Sequence, residues 1–229
     1  MFIFRKIILS LPVLLLFILC SNNTASAQQT IFNVPSADLV EKNMVFYQHQ
    51  SSFSNKFGAF DNNFVYGIGK NTELDLTLYD IGTKNVRGEV LGVGFKSVIP
   101  LNEKTETKFT IGHLIPIGLR KPGVGGYTYS HLSTVIPKLK TRVTAGVTVA
   151  TTTIFDRDVV SFIGGIEHPI TKRLWFAADW YSGKHSNGFF IPGFYYYLSQ
   201  KTIISGAFRI RNNKENGYNG FIIELSKFF

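Results

Sequence analysis

The chain closes on "GFIIELSKFF" (Gly220–Phe229), two phenylalanines standing where soluble domains usually end in fraying polar residues. Taken in alternate positions, Phe221, Ile223, Leu225 and Phe229 fall on one parity, interrupted only by Lys227. Gly220, Ile222, Glu224 and Ser226 fall on the other. A strand turns successive side chains to opposite faces, so this segment reads as a strand lying between two different solvents.

The same alternation runs through the rest of the chain. In "TELDLTLYDIG" (Thr72–Gly82), Leu74, Leu76 and Leu78 oppose Glu73, Asp75, Thr77 and Tyr79. In "TRVTAGVTVAT" (Thr141–Thr151), Val143, Ala145, Val147 and Val149 oppose Arg142, Thr144, Gly146 and Thr148. "RLWFAADWYSG" and "TIISGAFRIR" repeat the scheme, and none of these windows carries helical spacing. About twelve strands follow, at 43–50, 58–69, 72–82, 88–99, 106–117, 126–136, 140–152, 158–168, 172–182, 188–199, 201–211 and 218–229. Their connections alternate between short lysine-bearing turns ("GKNT", "PLNEK", "PKLK", "HPITK", "SQK") and longer links such as "GLRKPGVGG" and "SGKHSN". This is a meander of hairpins with one tight and one loose end.

The first 27 residues stand apart. Arg5 and Lys6 precede an apolar run, Ile7–Cys20, and "SNNTASA" ends in Ala25-Ser26-Ala27. Positive flank, short apolar core and small-residue exit describe a secretory signal peptide cleaved after Ala27. The run is too short for a spanning helix, which needs roughly 20 apolar residues. Lipidation at Cys20 is disfavoured because Leu19, just before it, is not small. The expected organisation is a leader at 1–27, an arm at 28–42 and strands over 43–229. The arm begins "QQTIFNVPSAD", uncharged until Asp38, and reads as a periplasmic arm or a plug tucked toward the interior.

Composition narrows the class. Cys20 is the only cysteine and leaves with the leader, which excludes disulfides and thiolate metal sites. The formal charge is +9, or +7 once Arg5 and Lys6 are removed. An exported chain without a Lys/Arg run argues against nucleic acid and leaves an anionic surface or solute as the partner of a basic protein. Charged residues make up only 17% against 14% aromatics, a balance that suits an outer surface facing something other than water.

A soluble sandwich turns an apolar face to its core and a lysine-rich face to water. Here the face opposite the apolar one is mostly Gly, Ser, Thr, Ala and Tyr, as in a confined interior. Aromatics near strand ends (Phe64, Tyr66, Trp180, Phe194, Tyr196, Phe229) match the girdles of a membrane barrel, which must close so that no edge is left unpaired. The expected fold is all-β: a transmembrane antiparallel up-and-down barrel of 10–12 strands. The last ten residues resemble the assembly signal of bacterial outer-membrane β-barrel proteins, carried here by Phe221, Ile223, Leu225 and Phe229 with Lys227 as a departure. That resemblance implies residence in the bacterial outer membrane, contact with its lipid and recognition of the last strand by the barrel-assembly machinery.

Parity assigns Glu73, Asp75, Lys96, Lys108, Arg142, Glu167, Arg173, Asp179, Arg209, Arg211 and Glu224 to the interior, where opposite charges can pair. Tyr79, Trp175, Tyr195 and Tyr197 share that face and either line or fill it. Leu76, Val147 and Phe208 are expected to meet lipid, and Thr77, Thr148 and Ala207 the interior, where arginine at Thr77 or Thr148 is expected to be tolerated and to alter conductance. "GLRKPGVGG" offers Arg120, Lys121 and glycine amides to an anion, against the plainer reading of a surface loop. "GKHSNG" (His185, Ser186, Asn187) is similar to the His-x-Ser-Asn segment of barrel phospholipases and lipid A deacylases, but the spacer is missing. Neighbouring residues on a strand point apart, so His185 is poorly placed to activate Ser186. His49, His113, His131 and His168 are scattered one per strand, without metal-ligand spacing. The leading expectation is a non-enzymatic narrow channel for small solutes, with no cofactor and no metal. The alternatives are a barrel lipid hydrolase and a closed structural or adhesive barrel.

Overall fold

The computed structural model describes residues 28–56, 58–82, 88–120, 122–152, 154–214 and 217–229; the expected leader, with Ala25 and Ala27, lies outside them, as does Lys121. Twelve strands run in order: β1 (Val45–Ser54), β2 (Gly58–Gly69), β3 (Thr72–Ile81), β4 (Val90–Asn102), β5 (Thr107–Gly118) and β6 (Tyr127–Ile136). Then come β7 (Thr141–Ala150), β8 (Val160–Pro169), β9 (Leu174–Tyr181), β10 (Phe189–Ser199), β11 (Thr202–Arg211) and β12 (Gly220–Phe228). Each pairs antiparallel with its neighbours in sequence, and β1 pairs with β12, so the sheet closes into a barrel. The seam runs from Phe46↔Phe228 through Gln50↔Glu224 to Ser54↔Gly220. The opening stretch of the sequence is the strand that removes the sheet's last edge.

Local chemistry explains the hairpins. At the β2–β3 turn, Lys70 and Asn71 both adopt positive φ (52° and 59°), the backbone a two-residue turn needs to match strand twist. β1 extends four residues beyond its expected end at residue 50. Ser51, Ser52 and Phe53, which read as a polar link, are held by Ile223, Ile222 and Phe221 of β12 and by β2, so pairing overrides weak strand propensity. β9 begins later than expected, because the Thr171 hydroxyl accepts the amides of Arg173 (3.1 Å) and Leu174 (2.9 Å) and turns the chain there. Arg173 therefore lies exposed in a turn at the rim, and its assignment to the interior is corrected.

The two faces differ as two solvents require. Leu76, Val147 and Phe208 point outward with 37–47% of their surface exposed, whereas Thr77, Thr148 and Ala207, one residue away, are 1–8% exposed. The outward face carries a continuous belt that includes Phe64, Leu74, Val93, Ile115, Phe162, Phe194 and Ile223, the surface of a membrane barrel. Lys227 interrupts the belt near the terminal rim, its ammonium 5.2 Å from the ring centre of Phe229. Among the described residues no helix is long and apolar enough to cross a membrane; the strands do the crossing.

The core lies inside the barrel and is built largely around the arm. Ile31, Phe32 and Val34 are completely buried among Ala177, Tyr181, Ile191, Tyr195 and Ile222. Below them Val40, Phe46, Val65 and Phe228 pack together, with Met44 against them, where the arm joins β1.

Candidate functional site: an occupied lumen

Residues 28–42 enter the barrel at the rim where β1 begins and β12 ends, here called the near rim. The arm folds on itself: Thr30 bridges Pro35, and the Ile31 amide donates to the Val34 carbonyl at 2.8 Å. This tight turn leaves three successive amides pointing the same way, and the Asp179 carboxylate of β9 meets all of them. One oxygen, Oδ2, accepts from Phe32 (2.9 Å), Asn33 (2.6 Å) and Val34 (2.7 Å). A nest of consecutive N–H groups is an anion site, and here the anion is a side chain of the barrel wall. Tyr181, two residues on and facing the same way, donates its hydroxyl to the Asn33 carbonyl at 3.2 Å.

Two further clamps hold the arm. Glu73 of β3 accepts from the Val40 amide (2.7 Å) and from Gln29 Nε2 (3.3 Å), and pairs with Lys96 of β4 at 3.0 Å. Lys96 in turn donates to Gln29 Oε1 at 2.7 Å. Further round the wall, Asp38 pairs with Arg142 of β7 (2.7 Å) and Lys108 of β5 (3.6 Å). Arg142 also approaches Glu167 of β8 (3.4 Å), whose other oxygen accepts from the Tyr195 hydroxyl (2.5 Å). Buried charges persist where partners and hydrogen bonds satisfy them, and the arm supplies much of that satisfaction.

Glycines mark where the arm touches the wall. A Cβ at Gly67 would lie 2.1 Å from the Glu41 carbonyl oxygen, so β2 has no side chain where the arm backbone crosses it. A Cβ at Gly165 would lie 2.1 Å from Ile31 Cδ1, so β8 leaves a slot that the isoleucine fills.

Of the residues that parity places inside, Glu73, Lys96, Lys108, Arg142 and Asp179 contact the arm, and Glu167 supports Arg142 from the wall. The rest lie elsewhere. Asp75 accepts the Thr77 hydroxyl at 2.6 Å, Glu224 that of Ser205 at 2.6 Å, and the Arg209 guanidinium lies 4.5 Å from the Phe189 ring centre. Arg211 donates to the carbonyls of Lys214 and Gly217 at the opposite, far rim. Trp175, Tyr195 and Tyr197 pack beside the buried cluster and fill this half of the interior. Thr77 and Thr148 are so enclosed that arginine at either overpacks its surroundings, correcting the tolerance expected of an open lumen. Asp38, Gln29 and the arm amides are partners that parity does not reveal, because they lie outside every strand. An apolar Ile31-Phe32 pair followed by "NVPS" before the first strand is the one signal of a buried turn there.

The remaining wall is different. Gln50, Asp61, Asn63, Asp75 and Tyr79 on β1–β3, with Arg209 on β11, face inward yet stay partly exposed. They form a polar stretch of wall beside the arm, next to the near-rim packing of Val40 and Met44 against Phe46 and Val65.

The other sequence candidates resolve as structural. His185 sits in the β9–β10 loop at the far rim, stacked on Phe155 with ring centres 3.9 Å apart. Its Nδ1 accepts the Asn187 amide (3.1 Å), which puts the proton on Nε2, and Nε2 lies 2.5 Å from the Ser161 hydroxyl. Ser186 Oγ instead donates to the Ile154 carbonyl at 3.5 Å, so the His185–Ser186 pairing that a hydrolase requires is not formed. Burial holds the His185 ring below its ordinary pKa of 6.5, against the upward pull of Asp156 and Asp158. Arg120 pairs with Glu89 at 2.6 Å, and the Gly118 and Gly125 amides bond to backbone carbonyls, leaving no cradle of these amides for an anion. His49, His113 and His168 face outward, hydrogen-bonded to Asn62, Thr128 and Thr141, while His131 is buried inside against Tyr129. Among the described residues no group of three or more His, Asp or Glu side chains is placed to hold a metal.

Neither a protein-family model nor a curated protein matches the sequence. Among solved structures, the chain is similar to a protein from a study of the in-meso crystallization of membrane proteins, at 8% identity and a TM-score of 0.48, covering 81% of this chain and 83% of that one. It is also similar to an outer membrane channel from Pseudomonas putida F1, at 12% identity and a TM-score of 0.44, covering 81% and 94%.

Proposed function

We propose that the protein is an outer-membrane channel for small solutes whose N-terminal arm is a movable plug. The observation that carries this reading is how the arm is held. It is seated by hydrogen bonds and ion pairs to five charged side chains of the wall, beside a polar, partly exposed stretch of wall. An arm meant only to fill a closed barrel has no need of charged clamps, because replacing buried ion pairs by well-packed apolar groups is often neutral or stabilising. Polar clamps, by contrast, can exchange their partners for water or solute. In this orientation the near rim with its lysine turns faces the periplasm and the longer links face outside, as an even strand number and termini on one side require. The leader, cleavage after Ala27 and recognition of Phe221–Phe229 by the assembly machinery belong to the same proposal.

Planar-bilayer recording tests it. The chain from Gln28 onward should give rare, brief openings, and a variant lacking residues 28–42 should give steady discrete steps. If the shortened barrel is folded, judged by a heat-modifiable gel band, yet passes no current, the channel reading is wrong and the closed structural barrel takes its place.

A further inference from the structure

The near rim carries a cavity that shares one residue, Arg142, with the clamps. It has a volume of about 690 Å³ and lies between the β4–β5, β6–β7 and β8–β9 turns, within the size range of small-molecule sites. Lys104, Lys140 and Lys172 stand around its mouth, with Glu106 as the one acidic group, and Arg142 and the Trp175 indole form its inner end. Trp175 is half-buried and stacks on Tyr195, with ring centres 6.2 Å apart and planes 16° apart, so its ring is fixed. Three lysines lining one cavity with an indole and a guanidinium suit a planar organic anion: the ring lies against the indole and the carboxylate is met by the cations.

Arg142 is the same residue that holds the plug through Asp38. We propose that this cavity binds a small aromatic carboxylate, which competes with Asp38 for Arg142 and so loosens the plug. The gating half of the inference rests on the plugged-channel reading; the binding half does not. Linkage makes the two reciprocal: an anion that weakens the Arg142–Asp38 pair binds more tightly when that pair is already absent.

The test uses the full mature chain in detergent micelles with Trp180→Phe, which leaves Trp175 as the only tryptophan. Benzoate is titrated against Trp175 emission, with benzamide as the neutral isostere and inorganic phosphate as the non-aromatic anion. Benzoate should give a saturable change that benzamide and phosphate do not. The exposed triple variant Lys104→Gln/Lys140→Gln/Lys172→Gln should weaken benzoate at least tenfold, and Asp38→Asn should tighten it by about fivefold or more. Saturating benzoate should also speed hydrogen exchange at the Phe32, Asn33 and Val34 amides. An equal response to phosphate reduces the site to a general cationic rim and overturns the aromatic-carboxylate assignment. Benzoate binding that Asp38→Asn leaves unchanged overturns the coupling. Neither measurement needs current through the barrel, so failure here is distinct from failure of the channel reading.

Discussion

Asp179 is the most direct handle on the plug. Its Oδ2 takes three amides at 2.6–2.9 Å, and replacement by alanine strands all three in a buried site. An unmade buried hydrogen bond costs about 1–3 kcal/mol, so holding the turn in place without the carboxylate costs about 3–9 kcal/mol. Part of this is offset, because the buried charge and its desolvation disappear as well. Against the penalty stands burial of Ile31, Phe32 and Val34, worth about 1.5–3 kcal/mol for each side chain, with the Glu73 and Arg142 clamps intact. The two sums are comparable, so Asp179→Ala should bring the seated and released arm close to balance without unfolding the barrel. Hydrogen exchange followed by mass spectrometry reads this directly, because amides 32–34 exchange only when the turn leaves the carboxylate. A loss of about 3 kcal/mol appears as roughly a hundredfold faster exchange at these amides, with the β7–β10 ladder unchanged. Asp179→Asn, whose neutral carbonyl keeps the shape but not the charge, should fall between. If exchange at 32–34 in Asp179→Ala matches the parent protein, the carboxylate is not what seats the plug and the reasoning fails.

Other outcomes follow from the same geometry. Gly67→Ala should release the arm more than Gly165→Ala in the same exchange measurement, because the new methyl meets the Glu41 backbone at one site and only the movable end of Ile31 at the other; equal effects would contradict the contacts. A fluorophore on cysteines at 76, 147 and 208 should be quenched by a lipid-confined quencher, and one at 77, 148 and 207 should not; quenching at both sets would sink the barrel assignment. His185 is neutral in the folded loop with its pKa below 6.5, so the opened loop binds the proton first and folding of the loop weakens as pH falls below 6.5. Proteolysis within 182–188 should therefore be slow at pH 7.5 and accelerate toward pH 5, with the dependence lost in His185→Gln; a flat profile in the parent protein would refute the role given to the ring.

Strand positions were legible because the chain alternates faces and punctuates them with turn residues: eleven of the twelve expected spans match within a few residues. β1 was the exception, since Ser51–Ser54 has weak strand propensity and is ordered by pairing with β2 and with β12, the latter more than 160 residues away. Which face Asp179 or Glu73 occupies was readable from parity. Their partners were not, because both bind backbone amides of the arm, and an N–H is present at almost every residue and leaves no mark in the sequence. Asp38 carries a side-chain signal, but nothing local says that it reaches Arg142, 104 residues away. Arg173 was misassigned for a more ordinary reason: a threonine turn can shorten a strand at its end without disturbing the alternation beyond it.

The arm sits upstream of β1, while the seam that encloses it is made by β12, the final strand of the chain. A segment that precedes every strand is thus enclosed with the help of the last one. A side chain such as Phe32, buried on the inside of the finished barrel, meets its pocket most readily before β1 and β12 have zipped together from Phe46↔Phe228 to Ser54↔Gly220. Its first seating belongs to the open sheet, when the arm can lie across β8 and β9 as a mandrel around which the wall is bent. An arm supplied afterwards as a separate peptide should then reseat in a barrel closed without it far more slowly than the tethered arm does, even though every bonding partner in the wall is still present.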